Sequence, residues 1–267
     1  MLAAYLDRLG VARPAVLDGA ALAALHRAHL VAVPFENLSL HLGERVDLAE
    51  GALLDKVVTR RRGGFCYELN GAFGVLLEAL GAQVGRVGAR VRRRDGDGFG
   101  PPMDHLALVV TTADGGGPWL ADVGFGASFV HPLRFDVRDE QDDPAGRFLL
   151  SDVEDGDVEL LQDGVAQYRI ETHRRTLDDA APACWWHATS PSSSFLRSPV
   201  CSRVTAEGGR VSLSGTTVVR TSPGGVRSEE TLDGDATVLA AYRELFGIVL
   251  DRLPVVPVDP VEAAGPA

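Results

Sequence analysis

The chain has 267 residues, 45% of them hydrophobic, and a formal net charge of −11. That length accommodates two or three subdomains around sizeable cores. The acidic balance argues against nucleic acid or an anionic membrane as a main partner.

In chain order, residues 1–81 read as helical, with candidate helices over 2–9, 19–31, 47–60 and 66–80. Asp18 and Asp47 are candidate N-caps. Asp7 and Arg8 stand where a secretory signal would be apolar. No apolar run approaches the roughly 18 residues that cross a bilayer. A cytoplasmic protein is therefore expected, with neither membrane nor nucleic acid as partner. Between the second and third helices lies Val33-Pro34-Phe35-Glu36-Asn37-Leu38, where Pro34 ends the preceding helix. Phe35 reads as core filler or as pocket lining. The basic runs Arg60 to Arg62 and Arg92 to Arg94 read as solvated charge or as local anion patches.

From about residue 83 the period changes to two. Val84, Val87, Ala89 and Val91 open a β region, with strands near 104–112, 118–123, 147–151, 157–163 and 166–172. A run of short strands separated by Gly/Asp turns suggests a small barrel or sandwich. The acidic loop 136–146 is expected to be mobile. A short helix near 178–188 carries Cys184, Trp185 and Trp186, and a Ser/Pro turn follows. Strands at 200–206 and 210–220 form a hairpin over Gly208-Gly209, with another strand at 226–232. A last helix spans 235–246, and the tail 254–267 is expected to be disordered or draped over the surface.

Three cysteines, Cys66, Cys184 and Cys201, fit a reducing compartment better than a disulfide framework. No Cys/His spacing suits zinc, and no phosphate-loop or dinucleotide glycine motif occurs. Cys66 differs from the other two. The stretch Arg62-Gly63-Gly64-Phe65-Cys66-Tyr67-Glu68-Leu69-Asn70 is a glycine turn feeding a helix. Cys66 sits in the first turn, where free N–H groups and the helix dipole favour a thiolate. Alone, it reads first as a buried structural cysteine, the commoner fate of a lone Cys. A thiolate nucleophile needs a base, and the base needs an orienting group. Of seven histidines, His105 stands apart, because it opens the apolar strand Leu106-Ala107-Leu108-Val109-Val110. Asp122 is an acid inside the apolar run Trp119-Leu120-Ala121-Asp122-Val123, and a buried acid needs a partner. A hairpin centred on the glycines near residue 114 makes His105 and Asp122 cross-strand neighbours; a slip of one residue would spoil this. The pattern points to a Cys66–His105–Asp122 triad, against an unrelated His and a structural Asp.

The stretch 62–70 resembles the active-site motif of the arylamine N-acetyltransferases. So do Pro34-Phe35-Glu36-Asn37-Leu38, His105 to Val110, Asp122-Val123-Gly124-Phe125-Gly126, and the Ser-Pro-Ser-Ser-Ser-Phe stretch Ser190 to Phe195. The resemblance implies an α+β fold: an N-terminal helical domain (1–82), a central β-barrel (83–177), an α/β lid (178–253) and a tail (254–267). It implies a cysteine-protease or transglutaminase-like core with Cys66, His105 and Asp122 as catalytic residues. It implies acetyl-CoA as co-substrate, no metal, and an aromatic amine or hydrazine acceptor reached through a Cys66 thioester in ping-pong fashion. By position, Phe35, Phe125 and Phe129 would line the acceptor pocket, and Arg62 would tie its turn to Glu36-Asn37. The CoA-contacting residues are unassigned, and a homodimer is left open. Two other readings share the same triad: an amide synthase that closes a macrolactam, and a thiol hydrolase or transglutaminase-like enzyme.

Overall fold

The computed structural model describes residues 1–93, 96 and 98–257. Arg94, at the end of the second basic run, and the tail beyond residue 257 lie outside the described residues.

Helices α1 (Leu2–Leu9) and α2 (Gly19–Ala32) bury Tyr5, Leu6, Leu9, Leu22 and Leu25. Asp18 caps α2 through an Oδ1 that accepts the Ala21 N–H at 2.8 Å. Past Pro34 come the two-residue strand β1 (Phe35–Glu36) and the short helix α3 (Leu38–His41). The helix expected over 47–60 begins later, as α4 (Glu50–Leu54), and widens into a π-turn at Asp55–Thr59. Asp47 is not its cap: its Oδ1 accepts the Ala49 N–H two residues on, a local turn that precedes the helix. Helix α5 (Cys66–Ala79) runs through the middle of this layer, with Leu69, Phe73 and Leu76 packed among Tyr5, Leu25, Leu53 and Val57.

The β region forms one eight-stranded antiparallel sheet curled into a nearly closed barrel. Its strands are β2 (Gln83–Val91), β3 (His105–Thr111), β4 (Trp119–Ala121), β5 (Leu133–Arg134), β6 (Gln141–Asp143), β7 (Gly146–Asp152), β8 (Val158–Gln162) and β9 (Val165–Arg175). The spatial order is β5-β4-β3-β2-β9-β8-β7-β6. The outer strands meet through a side chain: the Gln141 amide accepts the Arg134 N–H at 2.7 Å and donates to the Arg134 carbonyl at 3.0 Å. Strand β3 reads as one apolar run because both of its faces are buried. Ala107 points into the barrel with Phe148, Leu150 and Tyr168, while Leu108 and Val110 join the helical core.

Within the segment 136–146, expected as a loop, the structure places strand β6. Asp143 ends β6 and accepts the N–H groups of Val130 and Ala145 on Oδ1 and of His131 on Oδ2, each at 2.9 Å. Its acids act as acceptors, so the segment shows no apolar alternation in sequence.

Helix α6 (Leu177–Thr189) starts with a reciprocal cap between Thr176 and Asp179. A second sheet follows in the order β1-β10-β11-β12-β13, with β10 (Val200–Val204), β11 (Arg210–Ser214), β12 (Thr217–Thr221) and β13 (Arg227–Thr231). The strand expected over 210–220 is two strands, because Gly215 turns the chain back at φ 57°. Helix α7 (Asp235–Phe246) packs Val238, Tyr242 and Phe246 on this sheet. Strand β1 belongs to this sheet rather than to the helical layer that surrounds it in sequence. Beyond α7 the chain returns to α3, where the Val255 N–H donates to the His41 carbonyl at 3.0 Å. No helix of the described residues is long and apolar enough to cross a membrane.

Candidate active site

The turn before α5 is held from below. A Cβ on Gly63 would overlap the Pro34 carbonyl oxygen, so only glycine lets this turn cross β1. The Glu36 N–H donates to the Gly64 carbonyl at 2.8 Å. Arg62 grips Glu36 with two hydrogen bonds, Nε to Oε1 at 2.9 Å and a terminal nitrogen to Oε2 at 3.2 Å. Burial opposes the Glu36 charge, but Lys56 and Arg62 outweigh it and hold the carboxyl below its ordinary range. Glu68, at the third position of α5, reaches back to the Phe65 N–H at 3.2 Å, and the Lys56 ammonium donates to it at 2.6 Å. These buried pairs set the first turn of α5, and Cys66 is its first residue.

His105 opens β3, and Asp122 directly follows β4. His105 Nε2–H donates to Asp122 Oδ2 at 2.7 Å. The ladder pairs Leu108 with Ala121 and Val110 with Trp119. Continued, that register sets Asp122 opposite Ala107, two residues from the partner expected in sequence. A shift of two preserves the face where a shift of one would reverse it, so the contact survives as a diagonal one. With Nε2 committed to Asp122, Nδ1 is the nitrogen left for the Cys66 thiol, a close neighbour of the ring. Burial disfavours a charged ring. Asp122 and the Cys66 contact outweigh it and raise His105 from 6.5 to about 10.

Asp122 is buried and receives four donors. Its Oδ2 also accepts the Tyr168 hydroxyl at 3.0 Å, and its Oδ1 accepts the Asn70 amide at 2.8 Å and the Gly124 N–H at 2.9 Å. Burial opposes its charge too, but His105 and these donors hold the carboxyl below its ordinary range. Asn70 also accepts the Val123 N–H at 3.0 Å, so one α5 side chain aligns the loop after β4. That loop passes against the nucleophile: a Cβ on Gly124 would lie 2.7 Å from the Cys66 Cα. Burial pushes the Cys184 and Cys201 thiols up.

Aromatic rings surround this centre. Phe125 stands edge-on to His105 at 5.2 Å and to Tyr168 at 4.9 Å. Phe35 faces Phe195 at 6.2 Å, and Phe195 contacts Phe65 at 5.4 Å. The expectation for Phe129 is corrected. It is 1% exposed, packs edge-on against Phe148 at 5.6 Å and belongs to the barrel core. Its aromatic spacing in sequence could not distinguish core from pocket. A cleft of about 440 Å³ between β12, β13 and α7 is lined by Arg220, Glu230 and Leu232, and holds no nucleophile–base pair.

A family model described as N-acetyltransferase matches residues 18–255. An arylamine N-acetyltransferase of Mycobacterium tuberculosis (strain ATCC 25618 / H37Rv) is 37% identical over 257 residues, covering 92% of this chain and 89% of its own. The chain belongs to the arylamine N-acetyltransferase family. Its fold agrees with solved members. Mycobacterium marinum arylamine N-acetyltransferase aligns at a TM-score of 0.84 and 34% identity, over 93% of each chain. The same protein in complex with CoA aligns at 0.83 and 33%, again over 93% of each. Asn70 and Phe195 stand inside the sequence motifs, but no pattern there marks the roles they take in the structure. Tyr168 lies in a strand with no local signal, and only the barrel's closure brings its hydroxyl to Asp122.

Proposed function

We propose that the chain transfers an acetyl group from acetyl-CoA to an aromatic amine or hydrazine through a thioester on Cys66, with His105 as base and acid and Asp122 as its orienter. The observation that carries this reading is the buried relay itself. Asp122 grips Nε2 of His105 at 2.7 Å, and the Cys66 thiol, in the first turn of α5, lies beside the ring.

With its charged form favoured, the His105 ring already holds the Cys66 proton on Nδ1, and the thiolate attacks the acetyl carbonyl. The oxyanion gathers at the α5 N-terminus, where the helix dipole favours negative charge. The C–S bond to CoA breaks, and the imidazolium returns the proton to the leaving thiol. In the second half-reaction the amine attacks the thioester carbonyl. His105 takes a proton from the nitrogen, and the Cys66 sulfur leaves as the amide forms.

Acceptor preference follows from protonation. An arylamine arrives neutral with its lone pair free, whereas an alkyl amine arrives charged and hydrated. Walls of Phe35, Phe125 and Phe195 favour a flat neutral ring and do not solvate an ammonium. The same walls hinder water's attack on the thioester.

Intact mass after mixing with acetyl-CoA alone should rise by one acetyl group, mapped by peptide mass to Cys66. The adduct should persist in buffer, discharge quickly to an arylamine and slowly to an alkyl amine. Acetylation that survives in Cys66→Ala would overturn the assignment. Rapid discharge to water would favour a hydrolase.

A further inference from the structure

One buried imidazole spans the loop that carries Phe125. His26 projects from the middle of α2 and is fully buried. Its Nε2 lies 3.0 Å from the backbone nitrogen of Asp122, and its Nδ1 lies 2.8 Å from the Val130 carbonyl oxygen. A backbone N–H can only donate and a carbonyl can only accept. The ring must therefore be neutral, with the proton on Nδ1. Its face stacks on Phe129 at 5.6 Å and 17°, and Phe73 stands edge-on at 6.0 Å. The loop's far end is held a second time, where the Val130 N–H donates to Asp143 at 2.9 Å.

We infer that His26 is a positioning residue: it clamps both ends of the loop 122–130, setting the backbone of Asp122 with one nitrogen and the acceptor-pocket loop with the other. The inference rests on the roles proposed above for Asp122 and Phe125. The Asp122 carboxylate must present Oδ2 to His105, and four donors aim the side chain. The backbone it hangs from leaves β4 at that residue, where no ladder bond continues. The His26 contact supplies the missing partner. The nine-residue span then returns to the same ring at Val130, so the position of Phe125 depends on both bonds.

The two nitrogens can be tested apart. His26→Phe keeps a ring for Phe129 and removes both hydrogen bonds. His26→Gln extends an amide to the place of Nε2 and can accept from Asp122. His26→Asn places one near Nδ1 and can donate to Val130. The readouts are the single-turnover rate of Cys66 acylation by acetyl-CoA, the arylamine-to-alkylamine ratio in discharge, and amide hydrogen exchange over 122–130. In His26→Phe, acylation should fall about ten- to a hundredfold, the scale for a reacting group displaced by about an ångström. Exchange over 122–130 should speed up and the amine ratio should narrow. His26→Gln should recover acylation to within a few-fold of the parent, while His26→Asn should recover the amine ratio and not acylation.

A folded His26→Phe with parental acylation and parental exchange would overturn the inference. So would Gln and Asn variants that lose both half-reactions only in proportion to their folded fraction. If the parent protein itself gains no acetyl group on Cys66, the proposed function fails, and the exchange measurement still reads the clamp.

Discussion

Replacing Asp122 by Asn keeps the volume and removes the charge. Each oxygen of Asp122 accepts two donors: His105 and Tyr168 on Oδ2, Asn70 and Gly124 on Oδ1. An amide has one oxygen, so its NH₂ must face two donors in either orientation. Turned toward His105, it meets Nε2–H and expels the ring from the tautomer that leaves Nδ1 for the thiol. Turned the other way, it meets Asn70 and Gly124 and pushes the loop away from Cys66. The electrostatic loss is added to both. His105 stands at about 10 against an ordinary 6.5. At about 1.4 kcal/mol per unit, that is roughly 5 kcal/mol of support for the imidazolium, most of it from Asp122. A barrier raised by 5 kcal/mol slows acylation by between 10³ and 10⁴, the size of the matching loss in serine triads, about 10⁴. The assay is stopped-flow acylation by an activated acetyl ester at pH 7, beside iodoacetamide labelling of Cys66. Both rates should fall together, with the fold retained by circular dichroism. An Asp122→Asn protein that acylates within a few-fold of the parent would refute the relay.

Arg62→Ala strands Glu36 in the core beside Lys56, and loss of one partner of a buried pair costs about 3–5 kcal/mol. The melting temperature should fall along with activity, whereas a raised acetyl-CoA KM at unchanged stability would make Arg62 a ligand. Gly124→Ala drives a Cβ to 2.7 Å from the Cys66 Cα, so acylation should drop about a hundredfold; parental rates would show that the loop yields without moving the nucleophile. Burial pushes His26 from 6.5 down to about 4. Between those pH values the unfolded chain binds a proton that the folded chain refuses, so stability falls as pH drops, by about 3 kcal/mol for this ring. His105, raised rather than lowered, makes its full contribution below 6.5 and leaves that window flat. In urea titrations from pH 6.5 to 4, His26→Gln should therefore lose part of the parental slope, and an unchanged slope would mean that the folded ring is protonated.

The reactive centre was legible in the sequence because its signals are local. A glycine pair must precede a helix whose first residue is Cys66, since Gly63 crosses a backbone that no side chain could pass. A histidine that opens an apolar strand and an acid inside the next one lie on one face at any even register. Helices α2 and α5 were legible because their apolar periods are long and their stops are Pro34 and Gly81, whereas the short α3 and the π-turn after α4 left no such pattern. What the sequence could not decide depends on distant chain segments. The hairpin register moved by two residues, because the 112–118 connection carries turns that no pairing rule counts. Phe129 entered the barrel core instead of the pocket because Phe148 and His26, from elements far away in sequence, close around it. The acidic segment 136–146 gained strand β6 in place of an open loop, and its Asp143 carboxylate meets backbone N–H groups from another loop. Asp122 shows the division most plainly. Its sequence neighbours say only that a buried acid needs partners. The donors that hold its carboxylate come from α5, β3, β9 and the nearby Gly124 N–H, its own backbone is held by α2, and only the nearly closed barrel packed on the helices brings the three distant donors to one carboxylate.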